Sequence, residues 1–230
     1  MIQINRLTKT YGKARGVADL TLHVPEGGCF GFIGPNGAGK STTIRTLLGL
    51  LSPTAGTAKI LGLDCVRERN AILSQVGYMP SEAMFYPDMR VREIIRLSAN
   101  LRKMDCRAQA DALCEVLELD THKHIRELSL GNRKKVSIVC AMQHRPRLYI
   151  LDEPTSGLDP LVQRAFWSEL EKQCKEGATV FLSSHVLYEV QRYCDRAAII
   201  REGRLVVEGT TQELDIENKF FDYYEGRVTQ

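Results

Sequence analysis

Gly34-Pro35-Asn36-Gly37-Ala38-Gly39-Lys40-Ser41-Thr42 satisfies the pattern G-x-x-x-x-G-K-[ST], a loop built to hold the phosphates of a nucleotide. The residue types follow from the task. Glycines allow positive φ and let backbone N–H groups turn inward with no Cβ in the way. Those amides form an anion-binding nest, and a helix starting just after it adds its positive end. Lys40 can reach the outer phosphates. The Ser41 hydroxyl can ligate Mg²⁺, a cation that takes oxygen ligands. The flanks agree. Gly28–Ile33 is an apolar run of strand length, and Thr42–Gly49 reads as a helix with Ile44, Leu47 and Leu48 on one face.

Outward from this loop, strands are predicted at Ile2–Ile4, Leu20–Val24, Thr57–Leu61, Gly77–Met79, Leu148–Asp152, Thr179–Ser183, Ala197–Ile200 and Arg204–Glu208. Between about 90 and 145 helical periodicity takes over. Val91, Ile94, Ile95, Leu97 and Leu101 mark one helix, and Ala112, Leu113, Val116 and Leu117 mark another. The expected organisation is one domain over 1–230, with a core of about 1–89 and 146–230 and a helical subdomain of about 90–145.

Composition narrows the classes. The chain has 230 residues, 43% hydrophobic and 26% charged, which suits a soluble globular protein. A net charge of +3 is too small for a nucleic-acid footprint, so no nucleic-acid partner is expected. No uncharged apolar run approaches the ~18 residues of a membrane span, and the first residues lack a signal-peptide core. Seven cysteines without a C-x-x-C pair read as reduced packing residues of a cytosolic protein.

A phosphate loop needs a carboxylate to complete the metal shell, usually at the end of an apolar strand. Leu148-Tyr149-Ile150-Leu151-Asp152-Glu153 supplies it. Asp152 is placed to ligate Mg²⁺, and Glu153 to deprotonate a water attacking the γ-phosphate. His185 follows the run Val180–Ser184 and can donate a hydrogen bond to the γ-phosphate or the water. His23, His122, His124 and His144 have no such context and are read as structural.

With these segments in order, the chain resembles the ATP-binding subunit of ABC transporters from Tyr11 to about Glu208. The resemblance rests on the phosphate loop, on Leu151-Asp152-Glu153-Pro154-Thr155-Ser156-Gly157-Leu158-Asp159, and on Ser183-Ser184-His185. Leu128-Ser129-Leu130-Gly131-Asn132 looks like a variant of the family's Leu-Ser-Gly-Gly-Gln signature. The resemblance implies an α/β P-loop ATPase with a mixed core sheet, an antiparallel β portion near the N-terminus and an inserted α-helical subdomain. It implies ATP and Mg²⁺ as cofactors, and head-to-tail dimers with a second copy or a related ATPase subunit that sandwich two ATP molecules. Each ATP would then lie between the loop Gly34, Pro35, Asn36, Gly37, Ala38, Gly39, Lys40, Ser41 and Thr42 of one copy and Ser129 and Gly131 of the other. Tyr11 matches the aromatic that stacks on adenine. Asp159 matches the loop that signals between the two sites. Glu153 and His185 match the catalytic acid and the switch histidine, and Ser41 and Asp152 the metal ligands.

Two departures stand out. Leu130 occupies the third signature position, and leucine does not take positive φ cheaply. Contact with the opposite ATP is therefore expected to rest on Ser129 and Gly131. Ser81, followed by Glu82, stands after Val76–Pro80 where the family carries a Gln that reaches Mg²⁺; a serine is too short without a bridging water. Downstream, Met84, Phe85, Tyr86 and Met89 crowd a loop, a candidate docking patch for an integral membrane permease. A second aromatic cluster, Phe220-Phe221-Asp222-Tyr223-Tyr224, either caps the domain or contacts a partner. The expected role is to power export through that separate permease, from the inner face of the cell membrane. The alternative is a soluble ABC ATPase acting in DNA repair or on the ribosome.

Overall fold

The computed structural model of the chain describes residues 1–12 and 14–225. In chain order the first elements are β1 (Ile2–Tyr11), β2 (Ala14–Val24), β3 (Gly28–Ile33), α1 (Lys40–Leu47), β4 (Ala55–Ile60), β5 (Leu63–Asp64), α2 (Arg69–Gln75) and β6 (Val76–Met79). Three helices follow without an intervening strand: α3 (Val91–Leu101), α4 (Arg107–Val116) and α5 (Leu130–Met142). The chain then returns to alternation with β7 (Leu148–Asp152), α6 (Pro160–Lys175), β8 (Thr179–Ser184), α7 (Leu187–Tyr193), β9 (Arg196–Arg201), β10 (Arg204–Thr210), α8 (Thr211–Leu214) and α9 (Ile216–Glu225).

Two sheets result. One is antiparallel, in the order β2-β1-β4-β5. The other is mixed, in the order β10-β9-β3-β8-β7-β6, parallel except for the edge strand β10. A parallel sheet must be covered on both faces, and the alternating residues of β3 show how. Phe30 and Phe32 face the antiparallel sheet and α1, where Phe181 lies 6.1 and 5.3 Å from their ring centres. Cys29 and Ile33 face the other way, toward α5, α6 and α7. Each fully buried aromatic contributes about 1.5–3 kcal/mol through removed apolar surface.

Register is what positions the site. β3 pairs with β8 from Gly28↔Thr179 to Ile33↔Ser184, and β7 pairs with β8 so that Asp152 lies beside Ser183. The carboxyl ends of three strands therefore stop along one line, the crevice where open α/β sheets bind ligands.

Several elements differ from expectation. β1 and β2 run to Tyr11 and from Ala14 because they form one long hairpin, which the short apolar runs did not reveal. The helix after the phosphate loop begins at Lys40, two residues early, since Gly39 serves as its cap. On α3 Val91, Ile94 and Ile95 are buried, but Leu97 is only partly covered and Leu101 is exposed. On α4 the inward face is Ala110, Leu113 and Cys114, continuing into Leu117, whereas Ala112 and Val116 face out. Leu113 and Leu117 face inward as expected, with Ala110 and Cys114 beside them in place of Ala112 and Val116. The tail helix α9 packs Phe220 and Tyr223 on the core and leaves Phe221 exposed; the Tyr224 side chain lies outside what is described.

Candidate active site

The phosphate loop bridges β3 and α1. Gly39 caps α1 at φ 108°, and a Cβ there would sit 2.5 Å from the Gly16 carbonyl oxygen, so no other residue fits. Gly37 also takes positive φ, at 81°. Thr43 locks the turn from inside: its hydroxyl donates to the Gly39 carbonyl at 2.9 Å. Gly34, Pro35, Asn36 and Ala38 complete the loop, with the Ala38 amide donating to the Pro35 carbonyl. Lys40 is buried. Its Nζ donates to the Gly34 carbonyl at 2.6 Å and stands 3.6 Å from Glu153 Oε1.

A cavity of about 310 Å³ opens at this point, lined by Tyr11, Gly16, the phosphate loop with Lys40, Ser41 and Thr42, and by Ser81 and Glu153. Tyr11 is half exposed at the rim, with the Lys9 ammonium 5.5 Å from its ring centre.

Asp152 ends β7 and is 2% exposed, yet its Oδ1 has no hydrogen-bond partner among the described residues. A buried carboxylate oxygen without a donor is costly unless a cation completes it. With the Ser41 hydroxyl on the cavity wall, the donor set is all oxygen and suits Mg²⁺. Glu153 follows in the left-handed region, φ 52°, an unfavourable backbone for a side chain of this size. Its amide donates to the Ser183 carbonyl at 2.9 Å, which keeps the turn in place. The carboxylate is held from both sides: Lys40 approaches Oε1, and His185 Nδ1 lies 2.6 Å from Oε2. His185 leaves the end of β8 as expected, so the register of the sheet makes the pair.

The structure brings together Tyr11, the whole loop from Gly34 to Thr42, Ser81, Glu153 and His185. Ser129, Gly131 and Asp159 stand elsewhere. Ser129 caps α5, accepting from the Asn132 amide at 3.3 Å, and Gly131 lies against the Gly157 carbonyl. Leu130 sits in the first turn of α5 with ordinary negative φ, so the bulky residue is accommodated without backbone strain. Asp159 caps α6, its Oδ1 accepting from the amides of Leu161 and Val162 at 3.1 and 3.0 Å. The two caps are thus adjacent through Gly131 and Gly157, on a surface that also exposes Leu130 and Leu161.

Three contributors were not legible as site residues. Gly16 reaches the cavity only because β2 folds beside the loop. Lys134 is buried and donates to the Ser81 carbonyl at 2.7 Å. Glu189 is buried one helical turn after His185, accepts from the Ser184 hydroxyl at 3.3 Å, and is held above the usual carboxylate range by burial. Lys134 and Glu189 are charges whose burial and partners a sequence does not show.

A family model described as ABC transporter matches residues 17–156, and a model of an AAA domain matches 124–190. The Nod factor export ATP-binding protein I of Paraburkholderia xenovorans is 36% identical over 218 residues, covering 93% of this chain and 72% of that protein. The bacitracin transport ATP-binding protein BcrA of Bacillus licheniformis is 36% identical over 222 residues, covering 95% and 72%. The Escherichia coli protein named "Probable multidrug ABC transporter ATP-binding protein YbhF" is 34% identical over 223 residues, and there the chain spans only 38% of the relative's length. Among solved structures, an ATP-binding subunit of an ABC transporter superposes with TM-score 0.88 at 32% identity, covering 96% of this chain and 93% of that one. A dimeric post-hydrolysis cassette bound to ADP and Pi shares the fold at 23% identity, TM-score 0.85, covering 92% and 99%. A phosphate loop, paired acids and a facing histidine at aligned strand ends, together with these matches, place the chain in the ABC transporter family as an ATP-binding subunit.

Proposed function

We propose that the chain hydrolyses ATP and powers export of a substrate through a separate membrane permease, working as a pair of copies. The observation that carries the chemistry is the Lys40–Glu153–His185 contact set beside the unpartnered Asp152 oxygen. Glu153 accepts a proton from the attacking water as its oxygen bonds to the γ-phosphorus. The bond to the bridging oxygen breaks, releasing ADP and phosphate. His185 holds the carboxylate in line from its Nδ1, and Lys40, with the loop amides, offsets the charge that develops on the phosphates. Ser41 and Asp152 would hold Mg²⁺, which when bound supplies charge neutralisation across the phosphate oxygens.

Pairing is supported by what one copy leaves unused. Ser129 and Gly131 present a hydroxyl and the positive end of α5 outside the lining of the copy's own cavity. Only a second copy, reversed end for end, brings them to a nucleotide, and neighbours of the same fold are dimeric. Export is supported by relatives whose names refer to Nod factor export and bacitracin transport. Those names favour a transporter over a DNA-repair or ribosomal ATPase. Among the described residues no helix is long and apolar enough to cross a membrane, so the transport path is assigned to the permease. Met84 and Tyr86, 93% and 67% exposed, are the docking residues on this reading, which sets the protein on the inner face of the membrane. Phe85 and Met89 pack against the core instead.

Glu153→Gln keeps the shape and removes the base. Its turnover of ATP is expected to fall by about 10²–10⁴-fold while ATP binding persists. Turnover within a few-fold of the unaltered chain would dismiss Glu153 as the base.

A further inference from the structure

We propose that Lys134 is a positioning residue for ATP turnover, clamping the Ser81 loop from the signature-bearing helix α5. The proposal rests on the ATPase reading above. Lys134 is 3% exposed, and its Nζ donates to the Ser81 carbonyl at 2.7 Å. Ser81 lines the nucleotide cavity with Lys40, Ser41 and Glu153. A lysine ammonium is rarely buried because leaving water is costly, and a methionine of similar length would pack there at no such cost. What offsets the burial is local: the Ser81 carbonyl accepts a hydrogen bond from the ammonium, and Asp152, Glu153 and Glu82 place negative charge near it. Burial pulls the Lys134 amine below its ordinary range while those three carboxylates oppose the shift.

The placement has a consequence. Ser129 caps α5 at the surface meant for the opposite nucleotide, and Lys134 lies five residues on along the same helix. A helix is stiff over this length, so any displacement of its N-terminal end is carried to the Ser81 carbonyl. In a chain whose residue 81 is too short to reach far into the site, this contact fixes where the loop stands. The clamp thereby ties the signature of one half-site to the wall of the other.

The test is Lys134→Met beside Lys134→Arg, with ATP turnover measured together with amide hydrogen exchange over residues 81–85. In Lys134→Met the exchange of these amides should quicken by about tenfold, as expected for loss of a local constraint. The maximal rate should fall by about tenfold with KM for ATP within about twofold, the split expected when positioning rather than binding is lost. Lys134→Arg, which keeps charge and donor, should restore both. Unchanged exchange and rate in a folded Lys134→Met would overturn the proposal. So would a variant that unfolds or loses ATP binding along with turnover, because the role would then be structural. Failure of the ATPase reading is separable: the exchange measurement requires no turnover, and only that reading requires Glu153→Gln to be inactive.

Discussion

Glu153 is one of nine non-glycine residues with positive φ among those described, and the one that lines the nucleotide crevice. The Ser183 carbonyl, Lys40 and His185 together hold that conformation in place. Ser81 is the opposite case, a small residue in a place where reach would be useful. Replacing it with glutamine gives the loop an amide able to approach the metal side of the cavity. Ser81→Gln is expected to lower the Mg²⁺ concentration for half-maximal turnover, or to raise basal turnover, by several-fold, toward the low end of the ~10–100-fold range of residues that orient metal ligands. A titration of turnover against Mg²⁺ with no change in either quantity would show that residue 81 does not reach the metal.

The elements divide into those whose sequence announced them and those that depended on distant partners. β3, the loop and α1 were legible because their signals are contiguous: an apolar run, glycines at fixed offsets, then a helical stripe. Asp152, Glu153 and His185 were legible for the same reason, each at the end of an apolar strand. On α4 the sequence marks Leu113 and Leu117 correctly, but Ala112 and Val116 fit the period as well as Ala110 and Cys114, and only packing against α5 distinguishes them. His144, just past α5, shows what such packing does to chemistry. It is buried, and burial, then the nearby Arg102 charge, push its imidazole down to about 4. Unfolded, the same ring titrates near 6.5. Between about pH 6.5 and 4 the unfolded chain binds a proton that the folded chain refuses, so stability falls as pH is lowered through that window. From pH 7 to pH 5 this amounts to about 2 kcal/mol. Urea unfolding of His144→Leu at both pH values should show that much less acid sensitivity than the unaltered chain. Equal sensitivity would mean the ring is not held neutral.

On the proposed reading the whole molecule is half of a pair. Its candidate catalytic groups converge at one crevice, while Ser129, Gly131, Leu130 and Leu161 gather on a surface outside that cavity. The central claim is that a second copy brings this surface to the first copy's ATP. The direct measurement is sedimentation of Glu153→Gln with and without ATP, alone and combined with Ser129→Asp. Aspartate caps a helix as well as serine does, so α5 should survive, yet its charge would face the opposite phosphates. The expected result is a monomer without ATP, a dimer holding two ATP molecules with it, and an ATP-bound monomer once Ser129→Asp is added. A Glu153→Gln chain that stays monomeric at saturating ATP, or a dimer indifferent to Ser129→Asp, would contradict the shared site.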